Sequence, residues 1–131
     1  MAFPGLAHVA VTVRDLERSV PWYARLFGSD PVLDEDEQAG TFHHTVWLLD
    51  GGQLFGLHQH VSAAEGEVDA TRPGLDHVGF AVADRAELDE WAGRLDELGI
   101  EHGGVVVAPY GAGLSFKDPD GIPLELFAPA G

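Results

Sequence analysis

The 131 residues are enough for one domain with a buried core, and the 45% hydrophobic content excludes a disordered chain. With 22 acidic and 7 basic side chains the formal charge is −15, which argues against nucleic acid, anionic membranes and polyanionic substrates as partners. The absence of cysteine excludes disulfides and thiolate ligands, so any metal must be held by histidine and carboxylate. No apolar run reaches the ~18–20 residues that span a bilayer. MAFPGLAHV lacks the basic start of a secretory signal, so a cytoplasmic protein is expected.

Leu6–Val13 alternates and is rich in valine, which predicts a strand. Asp15 is placed to cap a helix running toward Gly28, with Pro21 expected to kink it or delay its start. Three strands are expected next, near Pro31–Asp34, His43–Leu49 and Gln53–His60. Val61–Pro73 is polar, acidic and broken by Gly and Pro, and reads as a linker loop. A strand at Leu75–Val82 follows, then a helix opened near Asp84 and ended near Gly99, with Leu88, Trp91, Leu95 and Leu98 as its apolar stripe. Three further strands are expected near Gly103–Val107, Gly113–Lys117 and Pro123–Phe127. Gly51-Gly52 and Asp120-Gly121 are hairpin turn signals.

The two runs repeat one another. A shift of 69 residues brings Pro4-Gly5-Leu6 onto Pro73-Gly74-Leu75, His8-Val9 onto His77-Val78, Asp15 onto Asp84, Trp22 onto Trp91 and Gly52 onto Gly121. The chain therefore reads as an α+β fold of two tandem βαβββ modules in a single domain covering residues 1–131. Module 1 is about 1–60, the linker about 61–73 and module 2 about 74–131. Strand alternation puts His8 with Ala10 and Thr12, and His77 with Gly79 and Ala81, on faces of small residues that leave room for a cavity if the sheet curves. Glu125 lies between Leu124 and Leu126, a costly place for a carboxylate unless it is paired or coordinated. Its counterpart at the offset is Gly56. If a pseudo-twofold relates the modules, positions 8, 56, 77 and 125 converge.

Leu6-Ala-His8-Val9, Leu75-Asp-His77-Val78 and Phe116-Lys-Asp118-Pro119-Asp120-Gly121, followed by Leu124-Glu125-Leu126, resemble the vicinal oxygen chelate superfamily over essentially the whole chain. That superfamily includes glyoxalase I, extradiol dioxygenases, methylmalonyl-CoA epimerases, fosfomycin-resistance transferases and bleomycin-binding proteins. The resemblance implies curved mixed sheets around a cavity, frequent dimerisation, and metal positions that map onto His8, His77 and Glu125. Glyoxalases often carry a Glu or Gln where this chain has Gly56. Two histidines and one carboxylate leave coordination positions open for water and substrate, and Zn, Mn, Ni or Fe(II) would suit these ligands.

Two functional classes follow. One is a metal-dependent lyase, isomerase or dioxygenase acting on a small oxygen-bearing substrate, with Glu125 at the metal and His58 as a base or substitute ligand. The other is a protein that sequesters an antibiotic-like small molecule, as bleomycin-binding relatives do, with the acidic surface suiting a cationic ligand. A homodimer is expected in either case. His58 reads equally as a packing histidine; His60, His43 and His44 read as structural or solvent-facing. Trp47 and Phe116 share one environment, core or cavity wall. Trp22 and Trp91 are expected in the core, and Tyr110 in a flexible loop where it could cap a ligand or be incidental.

Overall fold

A computed structural model describes residues 1–131. The chain divides into two units, Met1–Glu65 and Gly66–Gly131, and the division falls within the stretch read as a linker. No helix is long and apolar enough to cross a membrane.

Unit 1 consists of β1 (His8–Thr12), α1 (Leu16–Phe27), β2 (Leu33–Glu37), β3 (Phe42–Leu48) and β4 (Leu54–His60). Its sheet has the order β1-β4-β3-β2, with β1 parallel to β4 and the other pairs antiparallel. Asp15 caps α1 by accepting from the Glu17 amide at 3.0 Å. Gly28 stops it in the left-handed conformation, its N–H donating to the Ala24 carbonyl. Pro21 does not delay the helix, which begins at Leu16. It sits on the exposed side, where the Glu17 carbonyl it leaves unbonded can meet water. The buried residues of α1 are Ser19, Tyr23 and Leu26. Trp22 lies one position off that stripe and is half-buried, so Tyr23 takes the core place expected of the tryptophan. Tyr23 and Phe27 pack on Trp47 and Phe55 with ring centroids 5.3–6.1 Å apart, which settles Trp47 as core.

Unit 2 repeats the plan with β5 (Val78–Ala81), α2 (Arg85–Glu97), β6 (His102–Ala108), β7 (Gly111–Lys117) and β8 (Pro123–Pro129), its sheet ordered β5-β8-β7-β6. The Asp84 side chain accepts from the Glu87 amide, while Glu87 reaches back to the Ala83 amide, a reciprocal cap. At the other end Gly99 and Ile100 donate to the carbonyls of Asp96 and Leu95, a Schellman closure that seats Ile100 beside Leu95. Leu88, Leu95, Leu114, Leu124 and Leu126 fill the core. Trp91 is half-buried, with the Arg94 guanidinium 5.7 Å from its ring centre.

The D-P-D-G run is a structural clasp. The buried Asp118 carboxylate accepts from the amides of Asp120 (2.9 Å) and Ile122 (2.8 Å), and Gly121 takes the positive φ the turn needs. Tyr110 lies in a two-residue turn, not the longer flexible loop expected, because β6 runs to Ala108 and β7 starts at Gly111. Its ring stacks on Phe127 at 6.1 Å.

Candidate functional site

In each unit the helix covers one face of the sheet, and the other face carries the side chains with chemistry. In unit 1, β1–β4 pairing sets His8 beside Leu54, Ala10 beside Gly56 and Thr12 beside His58. Across β4 and β3, Gly56 meets Val46, His58 meets His44 and His60 meets Phe42. Across β3 and β2, His44 meets Glu35 and Phe42 meets Glu37. One row of the sheet is therefore Thr12, His58, His44, Glu35.

His58 is held by its neighbours. The Phe42 ring stacks on it at 4.7 Å and 11°, and His44 meets it edge-on at 5.5 Å. His60 packs on the same Phe42 at 5.2 Å. Burial first, then the nearby charges of His44, His60 and His8, hold the His58 imidazole below its ordinary pKa. It is thus neutral at neutral pH and able to accept a proton. Gly56 is buried, and a Cβ there would meet Val46, Ala10 and His58 at 3.6–3.9 Å, ordinary contact distances.

The adjacent His43 and His44 part to opposite faces. His43 is bonded at both ring nitrogens, Nδ1 to Asp36 at 2.8 Å and Nε2 to Asp34. Those two bonds, Asp34 first, raise its pKa. His44 was expected to be structural or solvent-facing. It turns to the His58 face and is largely buried, not solvent-facing, with its Nε2 3.3 Å from Glu37 and 3.5 Å from Glu35. Sequence reading missed this Glu35, Glu37 and His44 group. Its only signal was the alternation of LDEDE opposite adjacent histidines across the 38–41 turn.

In unit 2, Glu125 pairs with Gly79 on one side and Ser115 on the other. A Cβ at Gly113 would lie 3.1 Å from its Oε2, and a Cβ at Gly79 would meet nothing within 4 Å. Glycines thus clear the floor from which this carboxylate rises. Glu125 is half-buried and makes no hydrogen bond or ion pair within the chain. His77 directly precedes β5 and is exposed, its Nδ1 2.7 Å from the Asp76 carboxylate. A carboxylate on one imidazole nitrogen fixes the ring and frees the other nitrogen, as metal-bound histidines commonly require. His8, at the start of β1, is also exposed. Carboxylate and imidazole are donor types a divalent ion takes; Glu125 and His77 belong to unit 2 and His8 to unit 1.

Residues 5–126 match the family model of the Glyoxalase/Bleomycin resistance protein/Dioxygenase superfamily. The chain is 29% identical over 125 residues to a catechol-2,3-dioxygenase of Bacillus subtilis (strain 168), covering 94% of this chain and 41% of that relative. It thus spans less than half the length of that protein. Among solved structures, a glyoxylase/bleomycin resistance protein/dioxygenase domain from Frankia sp. EAN1pec superposes with a TM-score of 0.87 at 32% identity, over 98% of this chain and 94% of that one. A variant of the fosfomycin resistance protein FosX from Listeria monocytogenes, solved with Mn(II) and a dihydroxypropylphosphonic acid, superposes with a TM-score of 0.70 at 21% identity, over 98% and 95% of the two chains. That last likeness is one of fold. The chain belongs to the Glyoxalase/Bleomycin resistance protein/Dioxygenase superfamily.

Proposed function

We propose that the protein is a divalent-metal-dependent enzyme acting on a small substrate with two neighbouring oxygens, and that His8, His77 and Glu125 hold the ion. The observation that carries this reading is Glu125, a half-buried carboxylate without a partner on a glycine-cleared face. A cation beside a carboxylate partly withdrawn from water would offset its charge. The Asp76 carboxylate bonds Nδ1 of His77, which supports use of the other ring nitrogen as a ligand. A FosX variant of the same fold was solved with Mn(II), and nitrogen and oxygen donors suit such an ion. When bound, a divalent ion would supply Lewis-acid polarisation of substrate oxygens.

The chain's own groups do the rest. Gly56 contributes no side chain, so that His8, His77 and Glu125 alone would hold the ion. His58, neutral and braced against Phe42, would accept a proton from substrate. The reading extends to a cytoplasmic homodimer. His8, Ala10, Gly79 and Ala81 are all exposed in the single chain, and a second copy would shield such faces.

A second reading, sequestration of a cationic small molecule, is favoured by the formal charge of −15. Metal analysis separates the two. The enzyme reading expects wild type to hold one more equivalent of Mn(II) or Zn(II) than His77→Ala, with unchanged circular dichroism. Equal metal in wild type and His77→Ala after reloading would favour sequestration.

A further inference from the structure

We infer a second divalent-cation site within unit 1, formed by the carboxylates of Glu35 and Glu37 and by Nε2 of His44. It lies on β2 and β3, apart from His8, His77 and Glu125, and stands whether or not those three bind metal. Two observations meet here. The ligand atoms of Glu35, Glu37 and His44 all lie within 4.8 Å of one another, close enough to share one ion. Independently, Nε2 of His44 is sealed from solvent and makes no aligned hydrogen bond, although two carboxylates flank it at 3.3 and 3.5 Å. A sealed polar nitrogen without an aligned hydrogen bond is uncommon, and an ion is one of its ordinary explanations.

The strand itself gives the physical reason for a cation. β2 reads Leu33-Asp34-Glu35-Asp36-Glu37, four consecutive carboxylates on an edge strand, residue types that strands disfavour. On the helix-side face His43 bridges Asp34 and Asp36. On the opposite face the corresponding pair, Glu35 and Glu37, has only His44 between its members. One divalent ion there would offset both carboxylates and tie β2 to β3. Two oxygens and one imidazole nitrogen suit Zn(II), Mn(II), Co(II) or Ni(II). His44 also touches His58 edge-on at 5.5 Å, so an ion held by its Nε2 would add positive charge next to the His58 ring.

The test is a Zn(II) titration of the 131-residue chain carrying His77→Ala, stripped of metal beforehand, followed by NMR of the imidazole nitrogens and by thermal unfolding. The inference expects one equivalent bound, a large shift of the His44 Nε2 resonance, and a rise in the unfolding midpoint as Zn(II) is added. Adding Glu35→Gln and Glu37→Gln, which preserve side-chain shape, should abolish all three effects. Retained binding in that triple variant, or a His44 signal unmoved by Zn(II), would overturn the site. Failure of the His77 proposal reads differently: wild type and His77→Ala would then bind equal amounts, and only the two glutamate substitutions would remove metal.

Discussion

At the 69-residue offset, Tyr23, Phe27, Trp47 and Phe55 of unit 1 correspond to Ala92, Asp96, Phe116 and Leu124 of unit 2. Ser19 and Thr45 correspond to Leu88 and Leu114. The same backbone is therefore filled mainly with tilted and edge-on aromatic rings in one unit and mainly with leucines in the other. The opposite faces have exchanged bulk in a similar way. Phe42, His44 and Val46 of β3 become Gly111, Gly113 and Ser115 of β7, while Gly56 becomes Glu125. Room vacated on β7 is what the Glu125 carboxylate occupies. A duplicated module thus keeps its caps and strand order while each copy shifts side-chain volume between neighbouring strands. That shift decides which copy can offer a ligand at a given position.

The sharpest test of the core comparison is Trp47→Ala. It removes a fully buried ring from the aromatic cluster and should cost about 3–5 kcal/mol in urea unfolding. Trp22→Ala, at a half-buried position, should cost clearly less; equal losses would mean the cluster is not the core of unit 1.

The turns that join the last two strands also differ. Asp118 clasps two amides, whereas its counterpart Leu49 has no side-chain acceptor, and its turn relies on backbone bonds between Leu49, Gly52 and Gln53. Asp118→Ala should destabilise by about 1–3 kcal/mol, since it strands two amides of which one is buried. Leu49→Ala should show no hydrogen-bond component, and amide exchange at Ile122 should quicken only in the Asp118 variant.

The smallest effect expected concerns His43 of β3 and His58 of β4, which lie on opposite faces of the unit 1 sheet. In metal-free protein His43 should titrate above 6.5, because Asp34 and Asp36 bond its charged form. His58, buried and near other histidines, should titrate below 6.5. A raised native pKa means that His43 stabilises most below its unfolded value, with the contribution fading as pH rises through the native value. The stability gap between wild type and His43→Asn should therefore narrow with rising pH over that window. Exposure of the pair keeps the gap small. NMR titration finding the two histidines in the reverse order would contradict the assigned faces.

Much of the fold could be read from the sequence because its signals are local. Asp15, Gly28, Asp84 and Gly99 act as caps in the structure as their residue types suggest, and one offset relates both copies. β2 was placed too early, at Pro31–Asp34, because LDEDE has no apolar alternation. Its strand character comes from pairing with β3 and from the His43 bridge, which are tertiary facts. The tryptophans misled for a similar reason. Helix phase, not hydrophobicity alone, puts Tyr23 inward and leaves Trp22 at the margin. The Glu35, Glu37 and His44 group required the β2–β3 register, which no spacing within either strand supplies.

The proposed metal chemistry rests on one asymmetry between the copies: a carboxylate at position 125 and none at 56. It is best measured with Glu35 and Glu37 already changed to glutamine, so that only one site is counted. In that background Mn(II) binding should fall by one equivalent on Glu125→Gln and persist on Gly56→Ala, whose added methyl meets only ordinary contacts. Undiminished binding by the Glu125→Gln protein would contradict the account.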